Sequence, residues 1–149
     1  MNARRFLVLG LIVWTFASGS ARPAPVHAGQ ADETAIRHVL REYVEGWRDA
    51  DYERLADVFD PGGHVYWLSG DGDEQHLQSM TFAQIMERDP RPQPEYGSEW
   101  SVESLEVVDN HVAAAHLHIS RAGGSYLDVL VLHRVAGEWR IVTKTYSTR

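Results

Sequence analysis

Asp128 stands in the stretch "YLDVLVL", residues 126–132, where the other six side chains are apolar or aromatic. A carboxylate in such a strand must be paired, hydrogen-bonded or facing a cavity, because an unpaired buried charge is too costly. Two readings follow. Asp128 is a pocket acid, its pKa raised by desolvation, serving as a general base or as a hydrogen-bond partner to a ligand. Alternatively it is a structural acid satisfied by Thr145 or by Tyr43.

Other residues could carry chemistry. Trp47 and Trp67 are stacking candidates for a flat ligand, while Trp100 and Trp139 fit better as closures of the ends of a barrel. His116 and His118 form an H-x-H pair whose spacing could hold a metal, but only His133 or the distant His111 could add a third ligand. "SGDGDE" has the composition of a calcium loop without the regular oxygen spacing or terminal glutamate of an EF-hand. There is no phosphate loop, Ser-His-Asp arrangement or dinucleotide fingerprint. No metal and no cofactor are therefore assigned.

The elements that must position these groups follow from periodicity. Ile36, Val39, Leu40, Tyr43, Val44 and Trp47 recur at helical spacing over residues 31–50, with Asp32 as the expected N-cap. A short second helix is expected over about residues 52–59, then a turn at "DPGG" and a first strand over 64–68. "QHLQSM" could add a short strand. Thr81 and Gln84 make a capping box, so a third helix starts at Thr81. The prolines of "DPRPQPEYG" forbid regular structure there. Four strands then follow, "EWSVESLEVV", "HVAAAHLHIS", "YLDVLVLHRV" and "EWRIVTKTYS", separated by hairpin turn signals.

Helices followed by a meander make an α+β domain, here a cone-shaped, curved antiparallel sheet wrapped around N-terminal helices. If Ala136-Gly137 form a two-residue turn, Asp128 lies opposite Thr145 and Leu130 opposite Thr143. One face then holds Leu117, Ile119, Asp128, Leu130, Leu132, Ile141, Thr143 and Thr145, mostly apolar as a pocket should be. The other holds Lys144 and Tyr146 with His116, His118, His133 and Arg140, and fits an outer face or a dimer interface.

"YVEGWRDADYERLADVFDPGGHVYW", "LDVLVLHRVAGEWRIVTKTY" and the Val112-Ala113 step resemble the nuclear transport factor 2-like superfamily over about residues 33–148. Ketosteroid isomerases and polyketide cyclases belong to it, and the chain looks most like the putative lumazine-binding family. By that resemblance Tyr43 matches the helix-one tyrosine that donates to an oxyanion in the isomerases; read from spacing alone it is a core aromatic. The isomerase base falls on Trp67 and its protonated acid near Leu130, two residues after Asp128, so two of three catalytic groups are missing. The resemblance implies a cystatin-like roll, a small hydrophobic or heterocyclic ligand and a homodimer. The expected pocket residues are Tyr43, Trp47, Trp67, Asp128, Leu130, Thr143 and Thr145. The expected function is small-molecule binding. The alternatives are an isomerase, dehydratase or cyclase using Asp128 and Tyr43 for proton transfer, and a non-catalytic interaction module.

The N-terminus sets the expected address. Arg4 and Arg5, an apolar stretch over residues 6–17 and Val26-His27-Ala28 have the pattern of a cleaved secretory signal, with Gly19-Ser20-Ala21 a second cleavage candidate. Residues 1–28 are thus expected as signal peptide and 29–149 as the domain, secreted or periplasmic, off the membrane after cleavage. The formal charge of the whole chain is −7. Residues 1–28 hold three of its 14 basic residues and none of its 21 acids, so the remainder carries 11 basic against 21 acidic groups, a charge of −10. Such a surface repels nucleic acid and anionic lipid. No cysteine is present, which removes disulfides, thiolate metal sites and thiol nucleophiles.

Overall fold

The computed structural model describes residues 28–88 and 91–149; most of the expected signal segment, residues 1–27, lies outside the described residues. Helix α1, Ala28–Asp49, buries Ile36, Val39, Leu40, Tyr43 and Val44 along one stripe. Each such side chain contributes about 1.5–3 kcal/mol when fully removed from water. The helix begins at Ala28, before the span 31–50 given by periodicity, and Asp32 lies within it rather than capping it. Asp32 instead pairs with Arg134 and accepts from Trp139 Nε1 at 3.4 Å, tying the helix to a distant hairpin.

Helix α2, Tyr52–Val58, starts where Asp51 accepts from the Arg54 backbone N–H. Arg54 reaches back to Glu42 at 2.8 Å and Glu45 at 3.0 Å, which holds the two helices together. Among the described residues no helix is long and apolar enough to cross a membrane.

Strand β1, Phe59–Ser69, begins earlier than the periodicity suggests and absorbs "DPGG" into its own length. Strand β2, His76–Thr81, pairs with it. Helix α3, Phe82–Met86, opens with the full reciprocal Thr81–Gln84 capping box. The four later strands are β3, Trp100–Val107; β4, Val112–Arg121; β5, Gly124–Val135; and β6, Glu138–Thr148. They form one six-stranded sheet in the order β2-β1-β6-β5-β4-β3. The sheet is mixed: β1 runs parallel to β6 and every other pair is antiparallel.

Ala136 and Gly137 make the two-residue turn, both with positive φ, 52° and 93°, the pair that matches strand twist in a hairpin. From it Leu132 pairs with Ile141, but Val131 pairs with Thr143. Val142 is therefore left over as a bulge, and beyond it every side chain of β6 changes face. Asp128 lies opposite Tyr146 and Leu130 opposite Lys144. Thr143 and Thr145 share the outer face with Val131 and Val129, while Lys144 and Tyr146 turn inward, the reverse of the unbulged register. The inward residues Leu117 and Ile119 of β4 and Leu130 and Leu132 of β5 are completely buried against α1.

Candidate functional site

Tyr43 projects from α1, Asp128 from β5 and Lys144 from β6, and they meet inside the cone. The Tyr43 hydroxyl donates to Asp128 Oδ2 at 2.5 Å. The Lys144 ammonium donates to the Tyr43 oxygen at 2.5 Å and lies 3.1 Å from Asp128 Oδ2. Tyr96 donates to the same Tyr43 oxygen at 3.1 Å. These directions are mutually consistent: Tyr43 spends its one proton on the carboxylate and accepts from two neighbours. Asp128 is wholly buried, and its Oδ1 has no hydrogen-bond partner among the described residues. The Lys144 ammonium also sits 5.2 Å from the Tyr43 ring centre, 5.1 Å from Tyr146 and 5.9 Å from Tyr126, within a cage of aromatic rings.

Tyr96 comes from the proline-rich connection. Residues 93–97 of it are tied down by backbone hydrogen bonds: Gln93 N–H bonds to Arg48 O, Tyr96 N–H to Gln93 O and Gly97 N–H to Ser120 O. Gly97 has φ of 64° and lies where any side chain would run into Val44, so glycine is required to bring Tyr96 down onto α1.

A cavity of about 360 Å³ opens above this network. Trp47, Trp67, Met80, Phe82, Ile85, Tyr126 and Tyr146 supply most of its wall, with Arg88, Gln93, Tyr96 and Lys144 as its polar groups. Phe82 is held by face-to-face stacking on Phe59 at 3.8 Å. A larger cleft of about 840 Å³ runs between the two first helices and the β5–β6 hairpin. Its wall carries charges already paired with one another, such as Arg54 with Glu42 and Arg140 with Glu138, and it lies away from the buried acid.

The structure thus brings Tyr43 and Asp128 together and places Trp47 and Trp67 in the cavity wall. Neither Tyr43 nor Asp128 lines the cavity; both are fully buried behind Lys144. Leu130 is also in the core, opposite Lys144, and does not reach the wall. Thr143 and Thr145 are removed from the site by the bulge. The alternative of Asp128 as base and Tyr43 as acid therefore lacks direct access to a bound molecule. Lys144, Tyr96, Tyr126 and Tyr146 are the residues that sequence reasoning missed. "PEYG" carried the one usable hint, a glycine beside an aromatic in a rigid turn. His116 and His118 project from the outer face, and among the described residues no group of three histidines or acids is placed to hold a metal.

Burial pushes the Tyr43 and Tyr96 phenols well above the ordinary value of 10.0, and the neighbouring Asp128 charge raises both further. Tyr146 is raised as well, chiefly by burial. A group whose folded-state pKa is raised contributes stability that is complete below its unfolded value and lost as pH climbs through the folded one. The domain should accordingly lose stability in the alkaline range above pH 10.0. In an ultraviolet titration, Tyr43 and Tyr96, two of the six tyrosines, should ionise only as the chain unfolds. All six titrating as one class in the folded protein would contradict the sealed network.

The model of the family described as putative lumazine-binding matches residues 31–147. Among solved structures, an NTF2-like protein of unknown function from Shewanella baltica OS155 is 22% identical with a TM-score of 0.68, covering 80% of this chain and 95% of its own. Another from Silicibacter pomeroyi DSS-3 is 23% identical, TM-score 0.62, covering 81% and 98%. A domain with a cystatin-like fold from Nostoc punctiforme is 16% identical, TM-score 0.57, covering 80% and 78%. A search of curated proteins finds no match.

Proposed function

The chain belongs to the putative lumazine-binding family of the NTF2-like superfamily, and on that premise we propose that it is an exported protein that binds a small, flat, partly apolar molecule. The observation that carries this reading is a cavity of about 360 Å³ walled by Trp47, Trp67, Tyr126 and Tyr146 with one ammonium, Lys144, at its floor. Ligand sites are of this kind: apolar walls with a few placed polar groups. Tyr43, Asp128 and Tyr96 act as the support that fixes the lysine head, in the way that buried hydrogen bonds orient a working group. The half-exposed outer face of β4, β5 and β6 is the surface assigned to a homodimer.

Native mass spectrometry of the protein isolated from its own exported fraction tests the whole reading at once. The expected result is a dimer, shortened by removal of the signal segment, carrying a small adduct that leaves on denaturation. Added lumazine should quench the tryptophan fluorescence, because Trp47 and Trp67 line the cavity. An adduct-free protein whose fluorescence is indifferent to lumazine and to other flat heterocycles would overturn the binding assignment.

A further inference from the structure

We propose that the cavity is built for an anion: a flat aromatic molecule carrying one negative charge, such as a carboxylate or an ionised ring imide. This rests on the reading of the cavity as a ligand site and adds the charge of its occupant.

The whole chain carries a formal charge of −7, yet among the described residues no aspartate or glutamate lines this cavity. Two cations do, Lys144 at the floor and Arg88 in the wall. The carboxylate behind them, Asp128, is completely buried and paired with Lys144, which leaves one positive charge in excess around the space. Hydrogen bonding points the same way. An ammonium has three N–H groups; one of those on Lys144 goes to Tyr43, the charge is paired with Asp128 at 3.1 Å, and donor capacity is left for an acceptor. A ligand acceptor would take up the donor capacity of Lys144. A cationic ligand would face two like charges and an idle donor.

An isosteric pair separates charge from shape. 1-Naphthaleneacetate and 1-naphthaleneacetamide share a flat apolar body and differ in the charge of one small group. Calorimetric titration of the full chain at neutral pH should give the anion an affinity about tenfold higher, in keeping with the greater strength of charge-assisted hydrogen bonds. Arg88→Gln, a change at an exposed residue of the cavity wall, should shrink that ratio several-fold by weakening the anion's binding more than the amide's. Equal affinities, or tighter binding of the amide, would overturn the anion assignment while leaving the cavity a ligand site. Binding of neither would overturn the assignment of the cavity itself, and this inference with it.

Discussion

Lys144→Met should destabilise the domain by about 3–5 kcal/mol, the usual consequence of removing one member of a buried ion pair. Methionine keeps the apolar stem and much of the volume, so the loss is that of the charge. Asp128 would then remain fully buried with only the Tyr43 hydroxyl on Oδ2 and nothing on Oδ1. Domains of this size hold about 5–15 kcal/mol in total, so the change would be plain in a urea melt. The double replacement Lys144→Met with Asp128→Leu removes the carboxylate too and should recover most of the loss, since apolar substitutes for a buried pair are often neutral or stabilising. The recovered protein should nonetheless lose its preference for an anionic probe. A single Lys144→Met variant within about 1 kcal/mol of the parent would show that Asp128 does not depend on the lysine.

That lysine was invisible to pattern reading, and the reason is local. Period-two alternation assigns faces correctly along β4 and β5, where Leu117, Ile119, Asp128, Leu130 and Leu132 all turn inward. It also holds on β6 through Ile141. One unpaired residue, Val142, then exchanges Thr143 and Thr145 for Lys144 and Tyr146. Nothing in "RIVTKTY" marks the bulge, which shows only in the pairing of β6 with its neighbouring strands. Asp32 failed as an N-cap for a similar reason: an aspartate at the start of a helical pattern satisfies the local rule, but its partner, Arg134, is 102 residues away. The capping box at Thr81 was legible because both partners lie within one turn. The hairpin at Ala136-Gly137 was legible because its chemistry is contained in two residues.

The cause of the bulge can be tested at Gly63. A Cβ there would lie 2.6 Å from the carbonyl oxygen of Val142, the bulged residue itself, and 2.8 Å from the ring of Phe82. "DPGG" reads as a turn, but its second glycine lets β1 come close enough to pair with the displaced register of β6, as in Val65 with Lys144. Gly63→Val must either push β1 away from β6 or drive Phe82 off Phe59 and into the cavity. We expect a loss of about 3 kcal/mol, at the upper end of ordinary overpacking. Because both escapes deform the cavity wall, binding of 1-naphthaleneacetate should fall together with stability. The neighbouring Gly62→Ala serves as the comparison, since a Cβ there meets nothing closer than Asp60 Oδ1 at 3.3 Å. It should stay within about 0.5 kcal/mol of the parent, as surface changes generally do. If Gly63→Val matched it, the close approach of the two strands would not be what holds Lys144 inward. The inward turn would then have to come from the Asp128–Tyr43 pair drawing the ammonium in, and the Lys144→Met and double variants would have to account for the bulge as well as for the charge.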